Sequence, residues 1–149
     1  KGHLRFTSFE AYPMAKSDMQ AALIAFPQLS HLAKVLLDKW HPDAGVVVLA
    51  DGVTLDVIIG DARQTLRDWN GAADAWYLDG FSPDKNPALW EPALLAQVAK
   101  HTGPLGTAAT YSAAGHVRKS LDAAGFDVKR VPGFGRKWHM TVARLRGAE

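Results

Sequence analysis

The order of strand-like and helix-like segments constrains the fold of this chain more than any other feature. Up to Gly125, short apolar or alternating segments typical of strands are each followed by a segment with helical periodicity. Two strand-like segments then follow in succession, Phe126 to Val131 and Trp138 to Leu145. Alternation favours a mostly parallel sheet covered by helices on both faces, and a terminal hairpin adds an antiparallel edge. We therefore predict an α/β fold built as a three-layer sandwich.

Local signals refine this prediction at three places. Asp51-Gly52 divides the β-rich run from Val46 to Ile59 and is a dipeptide favoured in tight hairpin turns. Pro87 stands where helices begin, so a helix is expected from about Ala88 to His101. Ser112 is suited to cap the following helix.

Length and composition exclude several classes of protein. The 149 residues suit one domain over residues 1–149, and no segment approaches the length of a membrane span. The absence of cysteine excludes disulfides and thiolate ligands and fits a reducing cytoplasm, where we expect the protein. The six histidines are scattered without a helical pair beside an acid, so no metal site is expected.

Charge is distributed unevenly along the chain. Residues 1–114 contain 9 Lys/Arg and 12 Asp/Glu, whereas residues 115–149 contain 8 Lys/Arg and 3 Asp/Glu. A basic C-terminal quarter on an acidic body suits a protein that holds a small cationic ligand and also meets a polyanion. A chance excess of solvated surface charge is an equally good interpretation of the charges alone.

Three acidic residues, Glu10, Asp61 and Asp79, each follow a predicted strand and precede a loop into a helix. Any one of them alone is best interpreted as a helix cap or dipole partner. Three at successive strand ends is a stronger signal, because ligands of open α/β sheets bind beyond the carboxyl ends of the strands. The chain has no P-loop or Gly-x-Gly-x-x-Gly run. Together these features favour one cleft for a cationic nucleoside without phosphate.

Residues 78–87, LDGFSPDKNP, followed by Leu89-Trp90, closely resemble the signature of the methyltransferase domain of the MnmC family, the tRNA 5-methylaminomethyl-2-thiouridine biosynthesis proteins. Weaker matches follow the same order over nearly the whole chain: FTSFE at 6–10, TLD to GDA within 54–62, TYSAAG at 110–115 and VPGFGRK at 131–137. The resemblance implies a Rossmann-like class I fold. It also implies methyl transfer from S-adenosylmethionine to the amine of 5-aminomethyl-2-thiouridine at the tRNA wobble position.

The same resemblance assigns roles to residues. Glu10 would bind the ribose hydroxyls, and Asp61 with Ala62 would bind the adenine of the cofactor. Asp79 would act at the reacting amine, with Gly80 and Phe81 shaping the pocket, and Asp79 and Gly80 are also expected beside the cofactor. A carboxylate can hold an ammonium group and organise loss of its proton, and an aromatic ring can flank a flipped-out base.

Basic residues in loops and at edges are the candidates for contacts with tRNA phosphates. They are Lys85, Arg118, Lys119, Lys129, Arg130, Arg136 and Lys137. Trp138 follows two of these cations and suits either stacking on a base or a place in the core, since it begins an alternating strand. For Asn86 a structural role in the loop is favoured.

The resemblance also predicts segments that this sequence does not contain. A first strand and a Gly-rich loop are expected before Lys1, at the centre of the sheet, so we expect a truncated chain with weak or no cofactor binding. The family is often fused to an FAD-dependent oxidoreductase that prepares the amine, and such a partner is expected in cis or in trans.

Two other functions stay open on the sequence alone. One is a methyltransferase that uses S-adenosylmethionine on a small molecule. The other is a non-catalytic remnant that binds tRNA.

Overall fold

The computed structural model describes residues 2–41 and 45–147, and these form two compact units. The first unit ends at Thr65 and the second begins at Leu66. The prediction of one domain over residues 1–149 stays a prediction.

A three-stranded sheet and two helices form the first unit. Its elements are β1 (Leu4–Glu10), α1 (Lys16–Leu23), a 3-10 turn (Pro27–Leu29), α2 (Ser30–Lys39), β2 (Val46–Ala50) and β3 (Val53–Ile59). The strand order is β1-β3-β2, with β1 parallel and β2 antiparallel to β3. The hairpin predicted at Asp51-Gly52 is confirmed, and Gly52 adopts φ 76°, which an L side chain rarely tolerates.

The second unit contains a four-stranded sheet in the order β4-β5-β7-β6. Its elements, after α3 (Ala62–Asp68), which spans the boundary, are β4 (Ala73–Tyr77), a 3-10 turn (Pro87–Trp90), α4 (Pro92–Lys100), β5 (Thr102–Thr110), α5 (Gly115–Ala123), β6 (Phe126–Pro132) and β7 (His139–Leu145). Buried apolar residues of α4, of α5 and of the start of β6 contribute to the core of the second unit. Leu95, Leu121, Val117 and Phe126 are among the most deeply buried side chains.

The α/β class and the C-terminal hairpin are confirmed, because β6 and β7 pair antiparallel over their full lengths. The expectation of a mostly parallel sheet is wrong for the described strands. Only β1/β3 and β4/β5 pair in parallel, whereas β2/β3, β5/β7 and β6/β7 pair antiparallel. Hydrophobic alternation predicts a strand without specifying its neighbours, and both hairpins add antiparallel pairs. β1 and β4 are each an edge strand of their own sheet.

The helix expected from Ala88 to His101 is interrupted by a second proline. Pro92 has no N–H to donate and its ring clashes with a preceding helical carbonyl, so the 3-10 turn ends at Trp90 and α4 begins at Pro92. Glu91 between them is extended, with φ −62° and ψ 142°, as a residue before proline prefers.

Ser112 does not cap α5, which begins at Gly115 without a side-chain cap. The Ser112 hydroxyl instead accepts the Ala114 N–H at 3.3 Å. Within the described ranges, none of the helices combines the length and apolarity needed to cross a bilayer.

Candidate functional site

The structure brings Glu10 and Asp61 to neighbouring strand ends in the first unit. β1 and β3 run parallel with Glu10 opposite Ile59, so both strands end at the same edge. The Gly60 N–H donates to the Glu10 carbonyl oxygen at 2.9 Å, and Asp61 follows directly. Gly60 has φ 137°, and a Cβ there would approach Thr65 Cγ2 to 2.8 Å, so this turn requires glycine.

Asp61 is the N-terminal cap of α3. Its Oδ1 accepts the Arg63 N–H at 2.9 Å, and its carbonyl oxygen accepts the Gln64 and Thr65 N–H groups at 2.9 Å. The Arg63 guanidinium also binds the carboxylate, with Nη2 2.5 Å from Oδ2. Hydrogen bonds from the Arg63 side chain and backbone lower the pKa of Asp61 from 3.8 to about 2. Both carboxylate oxygens are therefore already engaged within the protein.

Glu10 and Ala62 offer free hydrogen-bonding groups at the same edge. The Glu10 side chain is exposed, and among the described residues only the Ser8 hydroxyl binds it, donating to Oε1 at 2.8 Å. Ala62 is the first residue of α3, so its N–H has no partner within the helix. A carboxylate oxygen and an N–H at the same edge, neither with a partner among the described residues, suit a neutral nucleoside, whose ribose donates and whose ring nitrogens accept.

Asp79 lies at the carboxyl end of β4 in the second unit, where it lines a cavity of about 290 Å³. Tyr77, Leu78, Ala109, Thr110, Tyr111 and Met140 complete the lining. The volume is near the lower limit for small-molecule sites, about 300 Å³, and suits a single nucleobase. The Asp79 carboxylate is exposed and forms no hydrogen bond or ion pair with any residue that the structure describes. It is therefore available to a ligand.

Two aromatic side chains fix the backbone after Asp79. The Tyr111 hydroxyl donates a short hydrogen bond to the Gly80 carbonyl, and the buried Trp90 donates from Nε1 to the Phe81 carbonyl at 2.8 Å. The Phe81 ring is 73% exposed and is not a core residue. The loop thus presents Asp79 and Phe81 on a backbone held from two sides.

Sequence reasoning missed the roles of Tyr111 and Trp90, although both stand in the matched motifs. A signal for Tyr111 was present: β4 and β5 are parallel neighbours, so the residue after β5 lies at the edge where Asp79 follows β4. For Asn86 the structural role is carried by its backbone. Its N–H donates to the Ser82 carbonyl at 3.0 Å, and its side chain forms no cap.

The cations predicted to contact tRNA all belong to the second unit. Among the described residues none of these side chains forms an ion pair: Lys85, Arg118, Lys119, Lys129, Arg130, Arg136 and Lys137. They do not form a single surface, because Lys129 and Arg130 are consecutive in β6 and point to opposite faces. The Nε of Arg118 is buried and has no hydrogen-bond partner in the described part of the chain.

Lys137 contacts a residue that lines the Asp79 cavity. Its Nζ lies 5.0 Å from the centroid of the Tyr111 ring, in cation–π contact, and Tyr111 lines the cavity. Trp138, left open by the sequence, is 89% exposed and is not core. β7 begins one residue later, at His139, so Trp138 belongs to the loop.

The predicted site residues are therefore distributed between the units. Glu10, Asp61 and Ala62 lie at one edge of the first sheet, and Asp79, Gly80 and Phe81 follow β4 in the second unit. The meeting of all three carboxylates in one cleft stays a prediction.

A model of the family described as S-adenosyl-L-methionine-dependent methyltransferase matches residues 27–146. Over 99% of the chain, 46% of residues are identical to the tRNA 5-methylaminomethyl-2-thiouridine biosynthesis bifunctional protein MnmC of Pseudomonas savastanoi pv. phaseolicola. The MnmC protein of Caulobacter sp. strain K31 is also 46% identical, over 90% of the chain. The chain spans only 22% and 23% of these relatives.

Two solved structures support the fold. MNMC2 from Aquifex aeolicus superposes with a TM-score of 0.77 at 28% identity, over 98% of this chain and 44% of that one. The antibiotic-resistance methyltransferase Kmr gives a TM-score of 0.53 at 13% identity, over 99% of this chain and 89% of that one. At that identity the second likeness is one of fold alone.

Proposed function

Since the chain belongs to the family of S-adenosyl-L-methionine-dependent methyltransferases, we propose that it methylates the primary amine of 5-aminomethyl-2-thiouridine at the tRNA wobble position. The observation that carries this proposal is the Asp79 carboxylate, which has no partner among the described residues and lines a cavity of about 290 Å³ that suits one base with a cationic substituent. The MnmC relatives, which are named for biosynthesis of the methylated form of this nucleoside, support the same substrate.

The chemistry requires a group that handles a proton at nitrogen. An aliphatic amine is mostly protonated near neutral pH and has no lone pair for attack. Asp79 binds the ammonium form and organises loss of its proton to solvent or to the carboxylate itself. S-adenosylmethionine, when bound, supplies an electrophilic methyl group. The neutral amine nitrogen would form a bond to the methyl carbon as the carbon–sulfur bond of the sulfonium breaks, which would leave a secondary ammonium group and S-adenosylhomocysteine.

Phe81 is placed to flank the target base, because its ring is exposed while its carbonyl is held by Trp90. Gly80 allows Leu89 to pack against the loop, since a Cβ at position 80 would approach Leu89 Cδ1 to 2.9 Å. Both features fix the loop relative to the cavity, and alignment of amine and methyl carbon depends on such fixed positions.

For the cofactor, the residues present in the first unit fit a nucleoside. Glu10 would accept the ribose hydroxyls with its free oxygen, and the Ala62 N–H would donate to the adenine ring. The Asp61 carboxylate is already held by Arg63, so it would share its oxygens with the exocyclic amine of adenine. The cations of the second unit would bind tRNA phosphates.

The proposal also includes the source of the amine substrate. An FAD-dependent oxidoreductase, in the same chain or in a separate one, would prepare the amine. We propose that the protein acts on its tRNA substrate in the cytoplasm.

The experiment measures transfer of labelled methyl groups by the protein as its organism makes it. We expect methylation of tRNA that carries 5-aminomethyl-2-thiouridine, none of the same tRNA without the aminomethyl group, and much less of the free nucleoside. Activity on small amines but not on tRNA would instead establish the small-molecule methyltransferase.

Calorimetry with S-adenosylmethionine tests the third possibility. We expect heat of binding to the protein as its organism makes it. No heat of binding together with retained tRNA binding would establish a non-catalytic remnant and overturn the proposal.

A further inference from the structure

The loop between β6 and β7 presents two large aromatic side chains to solvent. Phe134 is 92% exposed and Trp138 is 89% exposed, although rings of this size are usually largely buried. The loop is short and closed by two backbone hydrogen bonds. Gly133 N–H donates to the Trp138 carbonyl at 3.0 Å, and Lys137 N–H donates to the Phe134 carbonyl at 3.2 Å. The backbone that carries the rings is therefore a defined turn.

This loop adjoins the Asp79 cavity. Lys137, between the two aromatic residues, places its Nζ 5.0 Å from the centroid of the Tyr111 ring. Tyr111 and Met140, which lies two residues after Trp138, both line the cavity beside Asp79. A polymer whose one nucleotide enters the cavity would pass this loop with its neighbouring nucleotides.

The charges on the loop favour an anionic polymer over an apolar protein partner. Arg136 and Lys137 are adjacent and exposed, and neither forms an ion pair among the described residues. Cations that follow a phosphate backbone, interleaved with exposed rings that receive bases, are the two components of single-strand recognition. A duplex stacks its base faces internally, so it would leave the rings without a partner.

We propose that Phe134 and Trp138 form a stacking platform for unpaired nucleotides that flank the one bound in the Asp79 cavity. The proposal rests on the proposed function, because that function makes RNA the substrate. It adds that the enzyme recognises a single-stranded stretch around the target, with bases on the rings and phosphates on Arg136 and Lys137.

The test compares binding of an anticodon stem–loop RNA with binding of a blunt duplex made from its stem, each as a function of salt. Stacking contributes about 1–3 kcal/mol per base, and 1.4 kcal/mol is tenfold in affinity. Phe134→Leu and Trp138→Leu should each weaken binding of the stem–loop by about 5- to 140-fold, with the salt slope and duplex binding unchanged. Arg136→Gln with Lys137→Gln should instead reduce the salt slope, by about 0.7 for each lost phosphate contact.

Tyr12→Leu is the matched control, because Tyr12 is also an aromatic residue, is 93% exposed and lies outside the β6–β7 loop. It should bind both RNAs as the unaltered protein does. Stem–loop binding that survives both aromatic substitutions would overturn the platform alone, provided that the unaltered protein methylates tRNA. A protein that neither binds nor methylates RNA would overturn the platform and the proposed function together.

Discussion

The indole N–H of Trp90 donates a 2.8 Å hydrogen bond to the backbone carbonyl of Phe81, nine residues earlier in the chain. The donor is buried, with 3% of Trp90 exposed, whereas the ring of Phe81 projects into solvent. Phe81 thus combines a fixed backbone with an exposed side chain. This relationship explains how the loop can hold the Asp79 carboxylate in place without burying it.

Replacement of Trp90 by Phe should destabilise the protein. The change removes the donor, leaves the Phe81 carbonyl without its partner and leaves space in a packed core. We expect the free energy of unfolding to fall by roughly 1–3 kcal/mol, measured by denaturant titration. Trp138→Phe is the control, and as a surface change it should stay within about 0.5 kcal/mol. Equal effects of the two substitutions would show that the buried hydrogen bond contributes nothing.

Tyr111→Phe should slow methyl transfer while leaving the cation–π contact with Lys137. The substitution removes only the hydroxyl that binds the Gly80 carbonyl, so the backbone beside Asp79 loses one of its two restraints. A hydrogen bond of net value about 0.5–1.5 kcal/mol corresponds to a two- to tenfold lower kcat. Tyr12→Phe is the control, because that side chain is 93% exposed and is not in the lining of the cavity. Unchanged kcat in Tyr111→Phe would remove this residue from the positioning of Asp79.

Asp61 should have a structural role separable from any role in binding adenine. Asp61→Ala removes the cap of α3 and should cost about 0.5–2 kcal/mol in unfolding experiments, whereas Asp61→Asn keeps a good capping group. If Asp61 also binds the cofactor, Asp61→Asn should weaken binding of S-adenosylmethionine in calorimetry with little loss of stability. Unaltered cofactor affinity in this variant would leave Asp61 with the cap alone.

The pH dependence of stability should reflect the ion pair between Asp61 and Arg63. The pKa of Asp61 is lowered from 3.8 to about 2 in the folded protein, so its contribution is present above the unfolded value and is lost as pH falls through the folded one. The difference in unfolding free energy between the unaltered protein and Asp61→Asn should therefore shrink between about pH 4 and pH 2. Because the pair is partly exposed, the effect should be small and should weaken with added salt. A difference that stays constant over this range would contradict the role of Arg63.

Local chemistry in the sequence was sufficient to predict several parts of the fold. The Asp51-Gly52 turn is specified by the positive φ of Gly52, and the strand ending at Glu10 by its alternation. Pairing between strands was not predictable in the same way. The apolar alternation of β5 and β7 is compatible with several neighbouring strands, so tertiary packing determines their antiparallel pairing.

Prediction from the sequence was limited in the same way for the candidate site. The position of Asp79 after a strand followed from sequence, but its availability depends on the absence of partners among the described residues, which only the structure shows. The bond from Tyr111 to Gly80 joins residues 31 positions apart, so no local pattern predicts it. The exposure of Trp138 was undetermined because the start of β7 decides it, and strand ends are poorly specified by propensity.

The central claim is that the Asp79 carboxylate acts on the amine of the substrate. The most direct measurement is kcat for methyl transfer to tRNA carrying 5-aminomethyl-2-thiouridine in Asp79→Asn, with Asp84→Asn, an exposed acid of the same loop, as the control. We predict a decrease of about 100-fold or more for Asp79→Asn, with unaltered unfolding free energy and near-normal turnover in the control. Near-normal turnover in Asp79→Asn, with the fold intact, would contradict the account.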